Sequence, residues 1–303
     1  MKNVAFFISS NGFGHYDRCK EIASYLPNDY NITFYCKDYQ HSKIGILEST
    51  IVHELKKDTI RWDKNIIENN IRFEAYKEGL LERCTSLDKY DLVISDNIVG
   101  ILKYRPDAIL SGSFFWKDVF YEKFGNNKLT DFDNDLIEKH NPLILTNKYF
   151  ETGTMKDYKN KKQFGFGCPY LEYKINKIKK AVFLKPSLNY FNTYKEFVSN
   201  LEIPHTTDIN VTDKVFMVAR PGGGIITHCV KHHIPLIALY DEDDSSEILE
   251  LASRVEELGI GYKQNVKEKF KYDFLKDNSI YNSIQLQKDG YKQTADYIKT
   301  LVI

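Results

Sequence analysis

Val4-Ala5-Phe6-Phe7-Ile8-Ser9-Ser10-Asn11-Gly12-Phe13-Gly14-His15-Tyr16-Asp17-Arg18 is the stretch from which the architecture can be read. Five consecutive apolar residues without alternation predict a strand buried on both faces, as in a parallel sheet. The run breaks at Asn11 and Gly12, and helical spacing then continues from about His15 to Leu26. Pro27, which lacks an N–H, stops that helix. A buried strand, a glycine turn and a helix in this order predict an α/β fold built on mainly parallel sheets. Glycines at such a turn let the main chain approach a ligand, and the helix start attracts an anion. Asn11, Gly12, Gly14 and Arg18 are therefore candidate acceptor-side or phosphate-side residues. His15 is a candidate general base, because imidazole exchanges its proton near neutral pH.

Outward from this stretch, further strands are expected at Ile32–Cys36, Ile51–Leu55, Asp91–Ser95, Ala108–Gly112 and Leu143–Thr146, the last closing the first half. The charged stretch 56–90, with Trp62, Ile66, Ile67, Ile71 and Phe73 interspersed, reads as helical. Periodicity is lost between Glu151 and Lys180, where the lysine-rich runs Lys156–Lys162 and Lys174–Lys180 read as solvated linkers. The domain connection falls near residue 170. A second cycle then begins at Ala181–Leu184, with a helix near Thr193–Leu201 and a strand at Val215–Ala219. The turn Arg220-Pro221-Gly222-Gly223-Gly224 follows, with a helix through His232, a strand at Ile234–Tyr240, a helix at Ser245–Leu258 and a closing helix at Asp289–Leu301. The expected organisation is two Rossmann-like domains, 1–170 and 171–303, with parallel sheets facing across a cleft. The closing helix is able to pack back on the first domain.

Three consecutive glycines remove every Cβ from the second turn, so the amides of Gly223, Gly224 and Ile225 could face a diphosphate. Arg220 adds charge, and Thr227 and His228 lie one turn further on. A dinucleotide fingerprint is not satisfied at the first turn, because position 17 holds Asp17 where a third glycine is needed, followed by Arg18. A nicotinamide dehydrogenase is therefore disfavoured.

Lysine plus arginine equals aspartate plus glutamate, 42 against 42 in 303 residues, which argues against a dedicated nucleic-acid binder. Cys19, Cys36, Cys84, Cys168 and Cys229 are scattered, with no metal-ligand spacing, and predict reduced thiols in a cytoplasmic protein. No run approaches the roughly 20 apolar residues that span a bilayer, so a soluble protein is expected. The lysine-rich connector leaves open a peripheral contact with an anionic inner membrane face.

Together the two turns resemble GT-B glycosyltransferases of the family 28 group, which includes the lipid II-forming N-acetylglucosaminyltransferase. The G-x-G-H-x-x-R enzymes and a nucleotide-sugar hydrolase of pseudaminic acid synthesis are related. Gly12-Phe13-Gly14-His15-Tyr16-Asp17-Arg18 fits G-x-G-H-x-x-R at every fixed position. In the second half the family pattern is R-x-G-x-x-T-x-x-E; Arg220 and Gly222 match, Ile225 stands at the threonine position and His228 at the glutamate position. Pro235, the acidic loop Asp241–Asp244 and Gly259-Ile260-Gly261 also fall where the family has counterparts, and Glu247 stands near its donor-sugar glutamines.

The resemblance implies a nucleotide-sugar donor, UDP-linked, lying over Gly222–Gly224 with His228 beside the ribose. It implies an acceptor glycan, lipid-linked sugar or other hydroxyl compound next to His15, and chemistry that needs neither metal nor cofactor. Asp133-Asn134-Asp135 and Asp243-Asp244 do not form a D-x-D metal motif and read as solvated loops. Ser95-Asp96 also matches the related families, so Asp96 is a candidate for orienting His15, binding acceptor or capping the next helix. The run Ser113–Lys117 could line an acceptor groove or pack in the core. Three readings stand side by side: a glycosyltransferase, a nucleotide-sugar hydrolase with water as acceptor, and a non-catalytic nucleotide-sugar binder.

Overall fold

The apolar run near the N-terminus forms strand β1, Lys2–Ile8, with residues 4–8 buried. It pairs in parallel with β2, Tyr30–Cys36, on one side and with β4, Leu92–Asp96, on the other. The computed structural model describes residues 1–55, 87–167, 181–183, 192, 195–196, 199–200, 205–206, 216–232, 234–269 and 289–302. The expected helical stretch with Trp62 to Phe73, the run Lys174–Lys180 and most of the helix expected near Thr193–Leu201 lie outside these residues. The chain divides into two compact units, Met1–Gly167 with Asp289–Ile303, and Cys168–Lys288.

In unit 1 the strands β3 (Thr50–Glu54), β5 (Ile109–Ser111), β6 (Ile144–Asn147) and β7 (Lys161–Phe164) complete a seven-stranded sheet. Its order is β3-β2-β1-β4-β5-β6-β7, and every pairing is parallel. Alternation along β1 divides the core between the two faces. Val4, Phe6 and Ile8 pack with Cys19, Ile22 and Ala23 of α1 (Gly14–Ser24) and with Ala295 and Ile298 of the closing helix. Ala5 and Phe7 belong to the opposite cluster, with Trp116 and Phe120 of α3 (Trp116–Phe124) and Leu129 and Leu136 of α4 (Lys128–His140). A short helix α2, Asp38–Ile44, follows β2.

The sequence reading needs correction at β7. It closed the first half at Leu143–Thr146 and treated Lys156–Lys162 as linker, whereas Lys161 and Lys162 enter an edge strand. The Lys161 ammonium is satisfied by Glu151 Oε2 at 2.6 Å and by the carbonyls of Met155 and Lys156, so its charge does not exclude strand structure. Charged residues on edge strands also discourage unwanted pairing.

The closing helix, numbered α7 below (Gly290–Leu301), packs against α1 and β7. The Gly290 N–H donates to Phe166 O at 2.9 Å, and the Gly165 N–H donates to Gln293 Oε1 at 3.0 Å. A Cβ on Gly290 would lie 2.0 Å from Gly165 O, and one on Gly167 would lie 2.1 Å from the Tyr291 ring. The chain therefore leaves unit 1 and re-enters it along adjacent paths, at contacts that require glycine.

Unit 2 contains β8 (Ala181–Phe183), β9 (His205–Thr206), β10 (Phe216–Ala219), β11 (Leu236–Tyr240) and β12 (Gly261–Asn265), all parallel in the order β12-β11-β10-β8-β9. Ile226, Cys229 and Val230 of α5 (Gly223–Lys231) are buried on it. So are Ile248, Leu251, Ala252 and Val255 of α6 (Ser246–Glu257), whose spacing gives one apolar face. Among the described residues, no helix is long and apolar enough to cross a membrane.

Candidate active site

In the first sheet the strand order runs outward in both directions from the β1–β4 pair. The carboxyl ends of such a pair form the crevice where open α/β sheets bind ligands. Register places Ile8 beside Asp96 at this point, so the loop after β1 and the end of β4 come together. Gly12 has φ +78°, a left-handed conformation that turns the chain into α1, and a Cβ there would meet nothing within 4 Å. Conformation, rather than crowding, therefore requires glycine at this position.

His15, in the first turn of α1, directs Nδ1 at Asp96 Oδ2 over 2.6 Å. A carboxylate can only accept, so Nδ1 carries a hydrogen, and in the neutral ring Nε2 is then the nitrogen with the lone pair. Arg18, one turn further along α1, donates through Nη2 to Asp96 Oδ1. The Asp96 side chain is 1% exposed, and both its oxygens are engaged by α1. A buried ionised carboxylate needs such compensation, and here it also fixes the histidine tautomer. The Trp116 ring lies 6.5 Å from that of His15 and 4.9 Å from that of Phe114. Both Phe115 and Trp116 belong to the core, so the aromatic run supplies packing as well as a wall beside the imidazole.

Gln40 on α2 braces the turn, a role the sequence did not signal. Its Nε2 donates to Ser9 O at 2.9 Å and to Gly12 O at 2.7 Å, while Oε1 accepts from the Lys37 N–H at 3.1 Å. Tyr39 Oη also donates to Ser10 O. Cys19, on the buried face of α1, is no nucleophile, since burial pushes its thiol up to about 12.

In unit 2 the order reverses between β8 and β10, and the glycine turn leaves the carboxyl end of β10. Gly222 is the N-cap of α5, with φ −107° and no side-chain cap. The first amides of α5, from Gly223, Gly224 and Ile225, are therefore the donor set at the helix start. A Cβ on Gly222 or Gly223 would meet nothing within 4 Å, and neither residue has positive φ. Backbone conformation and protein packing thus do not demand glycine here. Arg220 Nη2 donates to Asp244 Oδ1 at 2.7 Å, and Asp244 Oδ2 accepts from the Asp241 N–H at 2.9 Å. Burial alone would lift the Asp241 carboxyl, but its hydrogen bond and charge pairing with Lys267 hold it below the usual carboxylate range. The His228 and His232 rings stand 4.4 Å apart, one helical turn from each other.

No family model matches the sequence, and no curated protein matches it. Solved structures do. The glycotransferase of kitacinnamycin superposes with a TM-score of 0.65 at 11% identity, covering 100% of this chain and 99% of the other. For the calicheamicin glycosyltransferase CalG4 the values are 0.59 and 12%, with 99% and 98% covered. For Arabidopsis thaliana UGT89C1 complexed with UDP-L-rhamnose they are 0.56 and 11%, with 99% and 93% covered. The chain has the GT-B glycosyltransferase fold.

Within this GT-B chain, the structure brings His15, Asp96 and Arg18 together at one sheet crevice and gathers Arg220, Gly222, Gly223 and Gly224 at the other. Thr227 and His228 follow on α5, and Glu247 lies in the first turn of α6. Two expectations fail on burial. Asp133 and Asn134 lie within α4 rather than in a solvated loop, and Asp133 is 1% exposed. Burial lifts the Asp133 carboxyl to about 8, opposed by the charge of Lys117. Asp244 is also buried, because it is the partner of Arg220.

Proposed function

We propose that this GT-B protein transfers a sugar from a UDP-linked donor to an acceptor hydroxyl, without a metal ion and with His15 as the general base. The observation that carries this reading is the 2.6 Å contact between His15 Nδ1 and the buried Asp96. It leaves Nε2 as the basic nitrogen in the crevice at the end of β1. UGT89C1 has been crystallised with UDP-L-rhamnose and with quercetin, which supports a nucleotide-sugar donor and a hydroxyl acceptor here.

In the proposed step, His15 Nε2 takes the proton of the acceptor hydroxyl as its oxygen attacks the anomeric carbon. The bond from that carbon to the diphosphate oxygen breaks, and its electron pair leaves with the nucleoside diphosphate. Asp96 stabilises the imidazolium that forms, while Arg18 holds Asp96 in place. Within unit 2, the amides of Gly223, Gly224 and Ile225, with the charge of Arg220 nearby, are the groups we assign to binding the nucleoside diphosphate. The open space over Gly222 and Gly223 supports this assignment, since a phosphate can approach the backbone there.

A nucleoside-diphosphate release assay across UDP-, GDP-, dTDP- and CMP-sugars, with and without hydroxyl acceptors, tests the reading. Acceptor-dependent release from a UDP-sugar that is lost in His15→Ala is expected. Equally fast His15-dependent release of free sugar without acceptor would make the protein a hydrolase, and failure to bind any nucleotide sugar would overturn the donor site.

A further inference from the structure

We propose that Asp38, His41 and Glu54 form a binding site for a first-row divalent cation of the zinc type, separate from the His15 crevice. His41, on α2, is buried, and its Nε2 lies 3.0 Å from Glu54 Oε1 at the end of β3 and 3.6 Å from Asp38 Oδ1. One ligand atom from each residue lies within 4.8 Å of the other two. A point equidistant from three atoms so spaced is about 2.4 Å or less from each, close to zinc–nitrogen and zinc–oxygen distances of about 2.0–2.2 Å.

The count of protons and lone pairs favours a cation over a purely protein contact. Nε2 can present one hydrogen, and its 3.0 Å separation from Glu54 suits a hydrogen bond, whereas 3.6 Å to Asp38 is too long for one. Two carboxylates and an imidazole therefore converge around a single bridging proton. A divalent ion satisfies all three at once, with imidazole nitrogen selecting zinc-like metals over magnesium or calcium. Ser42 Oγ donates to Asp38 Oδ1 at 2.8 Å and supplies the outer-shell bond that orients a ligating carboxylate. Access is open, since the Asp38 and Glu54 side chains are 69% and 58% exposed.

The site ties α2 to the edge strand β3. Gln40, the residue before His41, holds the carbonyls of Ser9 and Gly12, so a bound ion would brace the element that braces the first glycine turn. The cation is thereby placed to stiffen that turn from outside, and its binding does not depend on which reaction the protein catalyses.

Calorimetric titration of the full chain with zinc chloride, in a buffer free of chelators, tests the proposal. Saturable micromolar binding of one ion per chain is expected, with a raised melting temperature and no competition from millimolar magnesium. Asp38→Asn and Glu54→Gln change exposed side chains, so the fold persists, and each should weaken binding at least tenfold; His41→Asn should abolish it. Absence of saturable binding to the wild type overturns the site, and so does binding that both carboxylate variants leave unchanged.

Discussion

Asp133 should make this protein progressively less stable as pH rises, and Asp133→Asn should remove the effect. The carboxyl lies in α4, fully buried, and burial lifts it from an ordinary value near 4 to about 8. In the unfolded chain the proton leaves near pH 4, whereas the folded protein keeps it until about pH 8. The folded state therefore binds more protons throughout that window, and stability falls as pH rises through it. Each pH unit inside the window is worth about 1.4 kcal/mol, so the loss approaches a ceiling of about 6 kcal/mol above pH 8. Asparagine has the same shape and no proton to lose. Below about pH 4.5 the two proteins should be within about 1 kcal/mol of each other, and the variant should gain about 4 kcal/mol on the wild type by pH 7. Urea unfolding at pH 4.5, 6, 7 and 8.5, followed by circular dichroism, measures the gap directly. A variant less stable than the wild type by the same amount at every pH would refute the reasoning, because Asp133 would then be ionised and compensated.

Three further tests concern the glycine turns and the pairing of His15 with Asp96. Asp96→Asn cannot accept from both His15 and Arg18, since its amide group must face one of two donors. Turnover should fall about 10²–10⁴-fold while UDP affinity in a binding titration stays unchanged, and a loss under threefold would refute the dyad. Gly12→Ala forces a Cβ onto φ +78° and should destabilise the fold by about 1–2 kcal/mol. Gly222→Ala enters open space at φ −107°, so its melting behaviour should match the wild type while UDP binding weakens more than tenfold, as measured by calorimetry; a shift in stability instead would mean that packing explains the glycine.

Features set by local spacing were legible in the sequence. The uninterrupted apolar run at Val4–Ile8 marked a strand buried on both faces, and the Ile248, Leu251, Ala252, Val255 spacing marked the face of α6. Strand ends and glycine turns located both crevices, because in a parallel sheet these always fall at the same edge. Features that depend on distant partners could not be read in this way. Lys161 looked like linker because nothing near it in sequence announces Glu151 as a partner in an edge strand. Asp133 and Asp244 looked solvated because charge ordinarily means exposure, and only the folded chain shows one within α4 and the other against Arg220. Gln40 lies in no motif, and its two carbonyl partners are 31 and 28 residues away along the chain.

The adjacent exit and return of the chain at Gly165–Gly167 and Asp289–Tyr291 govern the order in which the protein can be made. The last helix supplies Ala295 and Ile298 to the layer beneath α1, yet it follows residues 168–288 in the sequence. At about 5–20 residues per second, synthesis of that insert takes on the order of 10 s. During this interval the first sheet and α1 exist with one apolar face incompletely covered, while unit 2 has the chance to fold by itself. Until the closing helix is made, the part of the Val4, Phe6 and Ile8 layer that Ala295 and Ile298 cover has only α1 against it. That face is completed only when α7 packs against α1 and β7, which makes the closing helix the latch of the sheet.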